Sequence, residues 1–205
     1  MTKETEAAPH PSLEKPQSWT GIWLAAVTRP SVVTYERLIR QPSAAPRHAA
    51  AWILVSGLIS GGLGSLVPLF SHLAHREPVD TGLLLAIPAI PVVAVLYWLI
   101  FVGCTQWVAH LLKGTGTYQT LAYAFATFSA PLTIAASLLA LMPRSGIPLF
   151  GLYLYWLALY ALAVQAVNQF SRAKAIGSIL ISLLLLGSAF SGMAFLLLEA
   201  LLRRP

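Results

Sequence analysis

The sequence predicts an all-α polytopic membrane protein, with five transmembrane helices preceded by short interfacial amphipathic helices. Three observations carry this. Of the 205 residues, 57% are hydrophobic and only 10% charged, with a mean hydropathy of +0.73, whereas soluble domains carry about 25% charged residues. Five apolar runs are each long enough to cross a hydrocarbon core that asks for about 20 residues per helix. Basic residues stand in the connections and leave the runs free of charge, as the cost of burying charge in lipid requires.

Residues 1–17 are polar, with Glu4, Glu6 and Glu14 and prolines at 9, 11 and 16. They read as a disordered tail and lack the apolar stretch of a cleavable signal peptide. Residues 18–42 read as the interfacial amphipathic segment. Trp19, Ile22, Trp23 and Ala26 recur at helical spacing, as do Val32, Tyr35, Leu38 and Ile39, which predicts two short helices. Pro30 lacks an amide donor and disfavours helix at Arg29, so it joins the two. Trp19, Trp23, Arg29, Arg37 and Arg40 are the expected interfacial anchors, since indole rings and guanidinium groups favour the headgroup layer. The same segment offers a docking surface for a cytosolic partner.

Residues 43–205 form the five-helix membrane domain. The first span, 49–70, has Gly57 and Gly61 four residues apart, and likewise Ser60 and Gly64, a spacing that lets another backbone approach closely. The second, 82–112, is longer than a perpendicular crossing and holds Pro88 and Pro91. Either an irregular, re-entrant start or a bent and tilted helix accommodates them. The third, 117–142, has Pro131 near its middle. That proline deprives the carbonyl of Thr127 of an amide partner and predicts a kink, with the hydroxyls of Thr127 and Ser129 at hand to fill the gap. The fourth, 147–170, carries Tyr153, Tyr155, Trp156 and Tyr160 towards its entry, where amphipathic rings are expected at the interface. The fifth, 176–198, holds Gly187, Ser188, Ser191 and Gly192 as a second small-residue set.

A formal net charge of +6 in such a chain points to orientation and to anionic lipid headgroups on the cytosolic side rather than to nucleic acid. Lys3, Lys15, Arg29, Arg37, Arg40, Arg47, Lys113, Arg172 and Lys174 fall on one face; Arg76, Arg144, Arg203 and Arg204 fall on the other. This places the amino terminus in the cytosol and the carboxyl terminus outside.

The spans contain no Asp, Glu, Lys or Arg, with Asp80 and Glu199 at their ends. Ion-coupled transport, which relies on ionisable groups within the membrane, is disfavoured; a facilitator for a neutral solute or lipid is compatible. The polar side chains collect at one depth: Gln106 and His110 in the second span, Thr117, Tyr118 and Gln119 opening the third, Gln165, Asn168 and Gln169 ending the fourth. They form a candidate cytosolic-side cluster for a lipid headgroup or partner loop, unless they serve only as hydrogen bonds between helices. His72, His75, Glu77 and Asp80 are metal-ligand types without a zinc motif or cysteine support, and no metal or cofactor is expected. Cys104 is the only cysteine. No nucleophile elbow or phosphate loop is present, and Gly114–Thr117 reads as a turn leading into a capped helix. No paired acid and base argues for an enzyme.

The order of WLAAVTRPSVVTYERLI, KGTGTYQTLAYAFATFSAPL and FSRAKAIGSILISLLLL resembles the bacterial branch of the Yip1 domain family over roughly Ile22 to Gly187. The resemblance implies five membrane helices and a cytosolic amino terminus. The family supplies a fold more firmly than a function; the leading reading is a non-enzymatic membrane scaffold or accessory subunit that binds other membrane proteins, itself included, or organises lipid, in a bacterial cytoplasmic membrane, and the alternative is a small-solute or lipid transporter. Eukaryotic relatives are associated with Rab GTPases, but the chain has neither their long amino-terminal region nor a counterpart of their partner motif.

Overall fold

The computed structural model describes residues 18–42, 44–75 and 81–202. The tail at 1–17, and Arg76, Glu77, Asp80, Arg203 and Arg204, lie outside the described residues. Among the described residues seven helices follow one another: α1 (Trp19–Thr28), α2 (Val32–Ile39), α3 (Pro46–His75), α4 (Thr81–Leu111), α5 (Tyr118–Ala140), α6 (Gly146–Asn168) and α7 (Arg172–Leu202). Five of them, α3 to α7, are long and apolar enough to cross a membrane. The protein is an integral membrane protein. Helices α3 and α7 outrun the spans read from hydropathy at both ends, because backbone hydrogen bonding continues past charged residues such as Arg47, Arg172, Lys174 and Glu199.

Helix starts follow local chemistry. Ser18 Oγ accepts from the amide of Gly21 at 3.2 Å, Ser31 Oγ from Thr34 at 3.0 Å and Thr117 Oγ1 from Thr120 at 3.2 Å, each filling one orphan donor of a first turn. The break between α1 and α2 falls at Arg29 and Pro30, as expected. Helix α4 runs unbroken through Pro88 and Pro91, so its start is helical rather than irregular. Helix α5 also continues through Pro131. The local repair expected there is not the one adopted: the Thr127 hydroxyl donates to Ala124 O at 2.7 Å, and Ser129 Oγ accepts from Trp156 Nε1 at 3.4 Å. A hydroxyl on a helix reaches the preceding turn more readily than its own carbonyl, and a neighbouring helix claims the other.

The five long helices close a ring in the order α3, α4, α7, α6, α5, with α4 and α5 also touching across it. Helix α5 is its most enclosed member. In its apolar window 61% of residues are buried, against 22% to 29% in the other four, and every residue from Leu121 to Ala130 is enclosed. The core is aromatic: Phe101, Phe125, Phe128, Trp156 and Tyr160 pack with ring centroids 5.1 to 6.3 Å apart. This corrects the expectation that the rings of α6 line the interface. Tyr160 is fully buried and Trp156 half-buried, Tyr155 donates to Val27 O, and only Tyr153 is well exposed, at 62%. The large rings of α5 supply partners whose contact area outweighs the interfacial preference.

The small residues also divide. A Cβ on Gly57 would lie 2.8 Å from Pro91 Cα, so α3 and α4 meet backbone to backbone there. Gly61 is buried and accepts from Ser65 Oγ at 2.8 Å. At Gly64, Gly187 and Gly192 a built Cβ meets no atom of the described residues within 4 Å. Only where the ring brings two axes together does a missing side chain matter.

Candidate functional site

The ends of α4 and α6 and the start of α5 meet at one end of the ring, here called the near end. Helix α4 closes with Lys113 in the left-handed conformation (φ 66°), and the Gly114 amide donates to Ala109 O at 2.9 Å. Helix α6 closes alike at Gln169 (φ 54°), with the Phe170 amide donating to Gln165 O at 3.1 Å. These Schellman-type closures satisfy carbonyls that would otherwise lack donors. They also turn the chain between α4 and α5 against the last residues of α6.

Gln106 and Asn168 are buried at this junction. Gln106 Nε2 donates to Gly116 O at 2.6 Å and to Asn168 Oδ1 at 3.2 Å; Asn168 Nδ2 donates to Gln106 Oε1 at 3.4 Å and to Val164 O at 3.3 Å. The Gly116 amide completes the set by donating to Asn168 Oδ1 at 3.2 Å. Both amide side chains are spent on one another and on the backbone. Buried polar groups demand this satisfaction, and the network ties α4, α6 and the turn that leads into α5 together.

Of the expected cluster, therefore, Gln106 and Asn168 come together and the rest do not join them fully. His110 is exposed at the rim, its Nε2 3.3 Å from Gln106 Nε2. Both hydrogens of that amide already have the closer acceptors Gly116 O and Asn168 Oδ1. Thr117 caps α5. Tyr118 is half-buried against Gly103, and Gln165 contributes its carbonyl to the helix end. The two glycines beside the network, Gly114 and Gly116, escaped assignment as contact residues. A Cβ on the first would stand 2.6 Å from Asn168 Oδ1, and one on the second 2.5 Å from Val167 Cγ1.

Deeper in the ring is an open chamber of about 520 Å³, here the main one, and a second pocket of about 300 Å³ lies beside it between α5 and α6. Ser56, Tyr97, Ser129, Thr133, Tyr153 and Trp156 line the main chamber. Hydroxyls, an indole and aromatic faces, with no charge among them, suit an uncharged or amphiphilic molecule. The polar members lie on four different helices, so nothing in their spacing announced the chamber. Among the described residues no group of three or more His, Cys, Asp or Glu is placed to hold a metal ion.

The expected anchors have distinct places. Trp19 is exposed and contacts His48 and Trp52, with centroids 6.4 and 5.9 Å away; Trp23 packs on Trp52 at 6.1 Å. Arg29 is exposed between α1 and α2, and Arg37 and Arg40 are exposed on and after α2.

The sequence model of the Yip1 domain matches residues 24–193. Comparison with curated proteins and with solved structures gives no match.

Proposed function

The chain belongs to the Yip1 domain family, and on that premise we propose that it is a non-enzymatic membrane scaffold or accessory subunit, binding other membrane proteins, a second copy included, or organising lipid. The observation that carries this reading is the face of α7 where Gly187, Ser188, Ser191 and Gly192 are exposed and where, among the described residues, a Cβ built on either glycine has open space. Small residues allow helix backbones to approach closely in lipid, and such a face suits a helix of another protein. The basic residues of the near end, Arg37, Arg40, Arg47, Lys113, Arg172 and Lys174, favour a cytosolic near end against anionic headgroups and an external carboxyl terminus, in a bacterial cytoplasmic membrane.

Crosslinking in native membranes from a cysteine at Gly187, followed by mass spectrometry and mild detergent extraction, tests the reading. It expects a defined membrane-protein adduct that co-purifies; adducts with lipid alone from both Gly187 and Gly192 count against it. A second reading, a facilitator for a neutral solute or lipid, is favoured by the uncharged cavity. Solute or lipid movement in liposomes containing only the purified protein would support that reading over the first.

A further inference from the structure

Helices α1 and α2 form a hairpin packed along α5 and α6, and its contacts place its tip far from the near end. At the open end of the hairpin, Trp19 contacts His48, and Gln169 Nε2 donates to Glu36 Oε1 at 3.2 Å. Both partners belong to the near end of the ring. Towards the tip, Tyr155 donates to Val27 O, Tyr35 donates to Ala26 O at 3.4 Å, and the Tyr35 ring stands 6.1 Å from that of Phe128. Phe128 and Tyr155 lie about 15 to 20 Å along their helices from Tyr118 and Asn168, at 1.5 Å per residue. That is about half of a hydrocarbon core roughly 30 Å thick.

The outer surface of the hairpin has the composition this depth requires. Leu24 and Val33, flanking the tip, are each 64% exposed, while Glu36, Arg37 and Arg40 gather towards the open end. Arg29 is the exception, exposed at the tip. Around it the local polar groups are internally spent: the Thr34 hydroxyl donates to Arg29 O at 2.8 Å, and the Thr28 hydroxyl to Leu24 O at 2.7 Å. Two carbonyls of the tip, Val27 O and Arg29 O, thus have side-chain donors, and among the described residues no acidic side chain pairs with the Arg29 guanidinium.

We infer that α1 and α2 form a re-entrant hairpin inserted into the leaflet on the near side, with the Arg29 guanidinium bound to phospholipid phosphate drawn inward from the headgroup layer. A charge at such depth is accommodated by reaching towards the interface and by local thinning of the bilayer, and a guanidinium pairs with a phosphate through two parallel hydrogen bonds. The hairpin thus holds a dent in one leaflet beside α5 and α6. This rests on the membrane-spanning fold and is independent of whether the protein scaffolds a partner.

The test uses the full chain with Cys104→Ala, carrying Thr28→Cys or Arg40→Cys, nitroxide-labelled in vesicles of phosphatidylethanolamine and phosphatidylglycerol. Collision with oxygen against an aqueous nickel chelate reads depth. The label at position 28 is expected to favour oxygen and to lie at least about 10 Å below the label at 40, as half a core of roughly 30 Å allows. Equal nickel access at both positions overturns the insertion. Phosphate contact is read separately, as dephasing of guanidinium ¹⁵N by lipid ³¹P. Loss of part of that signal in Arg29→Gln supports the contact, and an unchanged signal overturns it even where the depth result holds.

Discussion

Gly116 and Asn168 are locked together from both directions. The Gly116 amide donates to Asn168 Oδ1 at 3.2 Å, and a Cβ on Gly116 would lie 2.8 Å from that same oxygen. Hydrogen bond and close approach are one arrangement, since the bond forms only because nothing stands between the turn and α6. Gly116→Ala is therefore expected to destabilise the protein by about 1 to 3 kcal/mol, the usual cost of overpacking. Gly187→Ala, where there is open space, should stay within about 0.5 kcal/mol. Thermal unfolding of both variants in one detergent gives the comparison; equal midpoints would refute the close-contact argument.

The amide pair should behave as a unit. Removing either Gln106 or Asn168 strands the other inside the ring, at a cost of about 1 to 3 kcal/mol for a buried unsatisfied group. The double variant Gln106→Leu with Asn168→Leu should lose less than the sum of the single losses, with a coupling of roughly 0.5 to 3 kcal/mol. A double-mutant cycle in chemical unfolding measures it, and strict additivity would mean that the two side chains act separately.

Gly57 makes a parallel case in another part of the ring. Its nearest neighbour is backbone, Pro91 Cα, which cannot rotate out of the way. Gly57→Val should cost about 1 to 3 kcal/mol or more through forced separation of α3 from α4. A lower melting temperature than that of Gly64→Val, whose site is open, is the expected outcome.

Lys113 occupies a left-handed conformation at the end of α4, which costs an L-residue about 1 to 2 kcal/mol. Lys113→Gly should relieve it and raise stability by up to about 1 kcal/mol, less what glycine adds to unfolded-chain entropy. The gain should vanish for Lys113→Ala, which removes the charge and keeps the strain.

Pro131→Ala restores an amide donor for Thr127 without leaving a large void, because α5 is helical on both sides of the site. Stability should be retained or increased, proline being costly within a helix by about 3 kcal/mol. If folding is unchanged while association with a partner is lost, the proline acts as a hinge; unchanged association identifies a fixed packing feature.

The sequence by itself determined that this chain is all-helical, with five helices long and apolar enough to cross a membrane, and that two short helices joined at Arg29 and Pro30 come first. These follow from local quantities: apolar length, charge, and the loss of an amide at proline. The depth shared by Gln106 and Asn168 was also legible, since both end apolar runs on the same side. Only the tertiary structure decided that these two face each other while Thr117 and Gln165 turn to local duties, because the direction of a side chain depends on how its helix is rotated within the ring. The same rotation separated Gly57 and Gly116, pressed against backbone, from Gly187 and Gly192, where a Cβ would have open space among the described residues. It drew Trp156 and Tyr160 from an expected interface into an aromatic core. Glycine spacing and ring count read alike in either setting, and the packing of one helix against another is what gives them different meanings.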